Sequence, residues 1–348
     1  MVQRFRKPGW SERFGQLAYL LKNTVTIVGR DRDVIRPWLR MSIYAVIMVT
    51  ALFGGVAAIA LGAGDTGMWL LFAACAMFVY KYFYYTRQEM AESWLVAEAV
   101  RGRDAVPGDG RRRVSGVRRQ ARQLAWIMLA FGFVASQAGA SDDDDDDEGG
   151  GGGILAGIII GVLLAGLSEV LDLAEHFLVP AVAIDGVGLR EGTEKLKDLR
   201  QQVPETLVGV FGIDIAGGAV RTLALPLYLV LILGAVALGF MVGDAIPAFY
   251  AGDLHTLLGA HIQTPAWMGD GPLPWSWLPL LIAIWLGKMI SVVLDRLVDA
   301  VKVSYFTLFY LRIAHPGDIT PDLRGELDGY LRLEDDATPG TAPAGETT

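Results

Sequence analysis

LRMSIYAVIMVTALFGGVAAIAL, residues 39–61, carries Arg40 near its start and no other charged side chain to its end. A helix needs about 20 apolar residues to cross the hydrocarbon of a bilayer, and few soluble cores ask for an uninterrupted stretch of that length. This segment therefore predicts a membrane span. The whole chain agrees: 53% of its 348 residues are hydrophobic, its mean hydropathy is +0.39, and its charges gather between the apolar segments.

Five further segments read as spans, at 68–87, 124–138 (the shortest), 154–174, 223–242 and 278–298. The expected fold is all-α: a polytopic membrane helix bundle of about six transmembrane helices with an N-terminal interfacial amphipathic helix. The membrane domain covers 37–314, between an N-terminal segment at 1–36 and an acidic tail at 315–348. Within 1–36 no apolar core of a signal peptide precedes Pro37. The one cysteine, Cys75, lies inside a span, which excludes an intrachain disulfide or a Cys-based metal site.

Lysine and arginine near span ends favour the cytoplasmic side. They crowd the segment before the first span, the 88–123 connection (Arg101, Arg103, Arg111, Arg112, Arg113, Arg118, Arg119, Arg122) and the 175–222 connection. The loops at 62–67, 139–153 and 243–277 contain none. That alternation predicts a multi-pass protein of the cell membrane with both termini in the cytoplasm. The outer loop 139–153 includes SDDDDDDEGGGGG, an acid block that repels itself and stays solvated. A solvated linker in a high-salt habitat explains it better than a cation collector, since calcium ligands need fixed spacing around a turn glycine. An excess of acids over bases, 38 to 30, and a preference for arginine over lysine suit a halophilic, archaeal source.

Residues 10–28 place Phe14, Leu17, Leu21 and Val25 near one helical face, as an amphipathic helix lying on the membrane surface does. The second span ends in an aromatic belt of Tyr80, Tyr82, Phe83, Tyr84 and Tyr85, from which Lys81 can reach the headgroups. QEMAESWLVAEAVRGRD then keeps a helical pattern, and PGDGRRRVSGVRRQARQ turns the chain back. This basic segment offers anionic lipid headgroups a contact at the inner face. Without interleaved aromatics or a binding fold it does not suit nucleic acid.

Charges inside spans are costly and usually face a partner or cavity. Glu169, Asp172 and His176 lie along one helical face of the fourth span, and the sixth carries Lys288, Asp295, Arg296 and Asp299. At a rise of about 1.5 Å per residue Glu169, Asp172 and Arg296 share a level, so Arg296 is expected to pair with Glu169 or Asp172. Lys288 sits near mid-membrane with no acid at its level. It marks either an anion site or a lysine capped by backbone carbonyls.

Catalytic constellations are absent: Glu175-His176 is not HExxH, and no Walker loop, GxSxG or dinucleotide fingerprint occurs. Asp253, His255, His261 and Asp270 match metal-ligand spacing loosely, and the nearby Trp267, Trp275 and Trp277 read as interfacial anchors. No metal or cofactor is expected. Pro180 and Pro226 interrupt apolar segments, and 204–220, PETLVGVFGIDIAGGAV, reads as a separate half-helix of the kind found near transporter sites.

The order FLVPAVAIDGVGLREGTEKLKDL…PETLVGVFGI resembles an uncharacterised prokaryotic family of six-span integral membrane proteins, of haloarchaeal type. Phe177, Val179, Pro180, Asp185, Gly186, Gly188, Gly209 and Gly212 carry the likeness, with GRDAVPGDG and YFTLFYLRIA elsewhere; it extends over residues 10–314. The resemblance implies a membrane protein and transfers no catalytic residue.

Two functions are therefore open. One is a membrane scaffold, or a regulatory or assembly component, acting on a membrane-protein partner or a second copy through cytoplasmic helices such as 190–202. The other is a transporter or channel for a small or lipidic anion, using Lys288 and the charge clusters of spans four and six. A membrane-embedded enzyme stands third.

Overall fold

The apolar stretch at 39–61 forms the body of α1, Ile35–Ala60, in the computed structural model, which describes residues 32–106, 108–139, 178–192, 194, 207–242, 248–250 and 272–321. A 3-10 turn, Arg32–Val34, leads into it, and Asp33 pairs with Arg36 one turn on at 3.0 Å. Pro37 falls in the first turn, where a missing N–H forfeits no intrahelical bond. Gly62, at φ +87°, reverses the chain into α2, Gly64–Val100. This helix runs well past the apolar stretch 68–87, as its continuing pattern led us to expect.

Gly108, also left-handed, opens α3, Asp109–Gly116, and a break at Val117 separates it from α4, Arg118–Gly139. A single π-turn, Ala181–Asp185, follows one helical turn at 178–180. Next come α5, Leu207–Met241, and a short antiparallel ribbon of β1, Ala248–Tyr250, with β2, Pro272–Ser276. The chain returns in α6, Leu278–Ala314. Among the described residues the fold is helical apart from that ribbon, which the all-α expectation did not include.

Among the described residues four helices are long and apolar enough to cross a membrane: α1, α2, Ala224–Met241 of α5 and Leu278–Arg312 of α6. The third expected span falls within α4, which starts six residues early and carries Arg118, Arg119 and Arg122 on its exposed face. Residues 154–174, the amphipathic stretch 10–28, the acid run and the tail beyond 321 lie outside the described residues. The half-helix expected at 204–220 needs correcting, because from Leu207 the chain runs as one helix, α5, without a break to Met241. Glycines weaken a helix without ending it, and within an apolar segment no water competes for the backbone, so Gly209, Gly212 and even Pro226 are carried along.

The described residues divide between two units. The first takes Met1–Arg40, Tyr82–Ala216 and Val298–Thr348. Its core packs Met90, Val96 and Val100 of α2, Phe306, Phe309 and Tyr310 of α6, and Ala181 and Val182 of the π-turn, with Val114 and Leu124 beneath α3 and α4. The aromatic end of α6 is thus core. Of the expected aromatic belt, Tyr85 is buried and Phe83 packs edge-on against Trp126 at 5.2 Å.

The second unit takes Met41–Lys81 and Gly217–Leu297, and it turns its large side chains outward. Trp69, Phe72, Val230 and Met241 are all more than 60% exposed, which suits helices solvated by lipid and not by water. Its contacts run through small residues and isolated polar links. The Tyr44 hydroxyl donates to the Met77 carbonyl at 2.7 Å, and Trp285 donates to Thr50 Oγ1 at 3.2 Å. Trp275, expected as an interfacial anchor, donates its indole N–H to the Val236 carbonyl at 3.2 Å and lies against Gly239.

The α1–α2 approach rests on glycine. A Cβ at Gly55 would come within 2.9 Å of Leu71 and 3.0 Å of the Gly67 carbonyl, whereas one at Gly54 meets only Leu70 at 3.9 Å. Close helix crossings in apolar surroundings depend on such small residues. Gly54→Ala is therefore expected to leave the melting temperature unchanged or raised. Gly55→Ala is expected to lower it by an overpacking cost of about 1–3 kcal/mol, read by thermal denaturation of the two variants in one detergent.

Candidate functional site

The polar groups of the first unit converge on the π-turn. A π-turn ends with carbonyls that lack helical partners, and here Arg113 of α3 supplies them: Nε donates to the Ala183 carbonyl at 2.7 Å and Nη2 to the Ile184 carbonyl at 2.6 Å. Gly186 follows at φ +72°, and a Cβ there would sit 3.2 Å from that same guanidinium. Glycine is thus required twice over, by backbone conformation and by space. Arg113 itself, expected to serve lipid headgroups, is committed to this backbone.

Asp185 closes the turn and uses both carboxylate oxygens. It accepts the Tyr310 hydroxyl at 2.5 Å and His315 Nε2 at 2.8 Å; a carboxylate only accepts, so the imidazole donates from Nε2. Burial first, and then the bond to Asp185, hold the Tyr310 phenol far above its ordinary range. Beside it Arg101 clamps two elements, with Nη1 on Glu98 Oε1 at 2.9 Å and Nη2 on Asp318 Oδ2 at 2.8 Å, while Arg103 reaches the other Glu98 oxygen at 3.4 Å. The backbone N–H of Thr320 meets the Val100 carbonyl at 3.4 Å. The end of α2, the end of α6 and the π-turn are thereby tied by charge-assisted bonds, which are stronger than neutral ones.

A second polar contact joins α2 to α6. The Ser93 and Thr307 hydroxyls are 2.8 Å apart, and Thr307 Oγ1 is 2.7 Å from the Val303 carbonyl. Thr307 has one proton, which the carbonyl takes, so Ser93 donates to Thr307. One residue before Ser93, Glu92 is 2% exposed. Burial, and then the negative charges of Glu89 and Asp299, push its carboxyl well above the usual carboxylate range.

The charged residues singled out in the sequence fare differently. Lys288 is exposed on α6, whereas Asp295, Arg296 and Asp299 are half-buried there. Arg296 and Lys288 both bring positive charge onto Lys81, whose ammonium lies 3.9 Å over the Phe78 ring instead of extending away. Asp299 acts on Glu92. Glu169, Asp172 and His176 lie outside the described residues, and with them the expected pairing of Arg296. Pro180, at φ −65°, leads into the π-turn that Asp185 and Gly186 end, so these three motif residues share one local structure; Gly209 and Gly212 fall in the first turns of α5.

Arg113, Tyr310, His315 and Glu92 went unmarked in the sequence. Nothing distinguishes Arg113 within its arginine run, and QEMAESW reads as a solvated helix until α6 is known to cover it. Among the described residues no three His, Cys, Asp or Glu side chains are grouped to hold a metal. The arrangement fastens helices together and holds protons in place. Comparison with models of protein families, with curated proteins and with solved structures finds no match to this chain.

Removing Arg113 strands two backbone carbonyls, each costing about 1–3 kcal/mol when buried and unpaired. Arg113→Ala is expected to destabilise the first unit by that order. Arg113→Lys should recover little of the loss, because an ammonium cannot present the two-pronged edge that spans both acceptors. Denaturation curves for the two variants check this, and full recovery by lysine would refute it.

Proposed function

We propose that the chain is a multi-pass membrane component that scaffolds or regulates other membrane components. One observation supports this reading: α2 and α6, each 37 residues long, exceed the roughly 20 residues that a crossing needs, and Arg113, Asp185 and Arg101 fasten their ends to the π-turn and to α3. A rigid, membrane-anchored platform is what docking requires, and the polar contacts are spent on holding shape. The proposal includes six crossings, adding 124–138 and 154–174 to the four apolar helices, with both termini cytoplasmic. It includes membership of the six-span family that 177–212 resembles, a halophilic archaeal source, and anionic headgroups beside Arg111, Arg112 and Arg118. What supports the orientation is the alternation of arginine-rich and arginine-free connections.

A second reading, transport of a small or lipidic anion, is favoured by one specific observation. The positive charges of Arg296 and Lys288 both act on Lys81 in the second unit. An anion could lower that repulsion by binding among them.

Gentle purification and intact-complex mass spectrometry are expected to find a membrane protein in fixed stoichiometry with this chain; a chain carrying only lipid would reject the platform. With Cys75 replaced by alanine, a cysteine at position 145 should label from outside intact cells and one at the exposed position 104 only after permeabilisation. Equal labelling of both would reject the six-span topology. For the second reading, Lys288→Met should abolish chloride or phosphate flux into proteoliposomes while leaving the melting temperature intact, and unchanged flux would dismiss it.

A further inference from the structure

Two acceptor oxygens on one face of α2 are buried without a hydrogen-bond partner: Oε2 of Glu92 and Oε1 of Gln88. They are four residues apart, and side chains at that spacing are neighbours, with Cβ atoms about 5–6 Å apart. An ionised carboxylate and an amide carbonyl only accept, so as they stand neither can satisfy the other. A buried polar atom left unpaired is expensive, and an unpaired buried negative charge far more so. One proton on Glu92 removes both penalties. It discharges the carboxylate and turns it into a donor aimed along the helix at its neighbour.

The surroundings favour that proton. The charged groups acting on Glu92 are Glu89 on its own helix and Asp299 on α6, both acids. Counting back five residues on each helix from the Ser93–Thr307 bond brings Lys302 of α6 to the level of Gln88. Lys302 is buried and has interactions of its own. Turning the Gln88 amide around would offer an N–H to an ionised Glu92, but would leave a negative charge 2% exposed beside two further acids. A metal cation fits less well, since no three carboxylate or imidazole groups among the described residues are placed to ligate one.

We propose that Glu92 is a buried proton site: the folded chain holds this carboxyl un-ionised at neutral pH, its O–H donated to the Gln88 side-chain oxygen, and loss of that proton loosens the contact of α2 with α6. The site lies beside the Ser93–Thr307 bond, so an ionised Glu92 must either draw water into that contact or part the helices. The direction follows from burial, which raises the folded carboxyl above its unfolded value. The stabilisation is complete below the unfolded carboxylate pKa of about 4.3 and is lost as pH rises through the folded value. The inference is independent of the scaffold and transport readings.

The test compares the full chain with Glu92→Gln, which keeps a donor at that position and cannot ionise. Melting temperatures from pH 5 to pH 9 are expected to lie close at the acid end and to separate as pH rises, the variant becoming the more stable. The gap corresponds to about tenfold in the folded-to-unfolded ratio per pH unit until Glu92 ionises in the folded chain. Infrared spectra at neutral pH should show the carbonyl band of an un-ionised carboxyl, missing in Glu92→Gln and moved to higher frequency in Gln88→Leu, where its acceptor is gone. A gap that does not change with pH, or no such band in the wild-type chain, overturns the proposal. Sodium-dependent stabilisation that Glu92→Gln abolishes would assign the oxygens to a cation and overturn it too. Should Glu92→Gln fail to fold, the spectra of the wild-type chain and Gln88→Leu decide alone.

Discussion

A helix of 37 residues is about 55 Å long, whereas the hydrocarbon of a bilayer is about 30 Å thick. Both α2 and α6 have that length, and most of the first unit follows from the surplus. The extra turns carry Met90, Val96 and Val100 on one helix and Phe306, Phe309 and Leu311 on the other, all nearly or fully buried. Such side chains are too apolar to stand in water. Residues of α3 and α4 cover Met90, and those of the π-turn cover Val96 and Val100, and in doing so create a turn whose own backbone groups need partners.

Those partners decide the character of the unit. Where a regular helix would have satisfied its carbonyls by continuing, the chain stops at Gly186 and an arginine from α3 takes over. Asp185 then serves two donors from the end of α6 and just beyond it, a hydroxyl and an imidazole. The second unit holds few such polar links among its described residues and relies on close glycine contact and outward apolar surface.

How far the sequence discloses this depends on the range of the interaction. Stretch length and charge spacing are local, so α1, the run-on of α2, the start of α6 and the Asp185–Gly186 turn were all legible. Continuity through 204–220 was not, because glycine frequency suggests a break that an apolar setting forgives. Nor was the ribbon at 248–250 and 272–276, which needs two separated strands to find each other. The node around Asp185 draws on Arg113, Tyr310 and His315, which lie from 70 to 130 residues away, and no local pattern marks them. Glu92 shows the same limit: its segment reads only as a continuing helix, and burial at 2% exposure appears only in the folded chain.

The first unit is assembled from three stretches separated along the chain, and this sets a schedule on its synthesis. Ser93 leaves the ribosome 214 residues before Thr307. At about 5–20 residues per second that is a wait of roughly 10–40 s. Throughout it the end of α2 presents Met90, Val96 and the acid Glu92 with their eventual cover not yet made. Segments before α6 can pack in order, but the cluster that sets Val96 and Val100 against Leu308, Tyr310 and Leu311 closes last. A ribosome that stalls before residue 306 leaves behind an open apolar trough, the kind of surface that quality-control proteases and holding chaperones recognise.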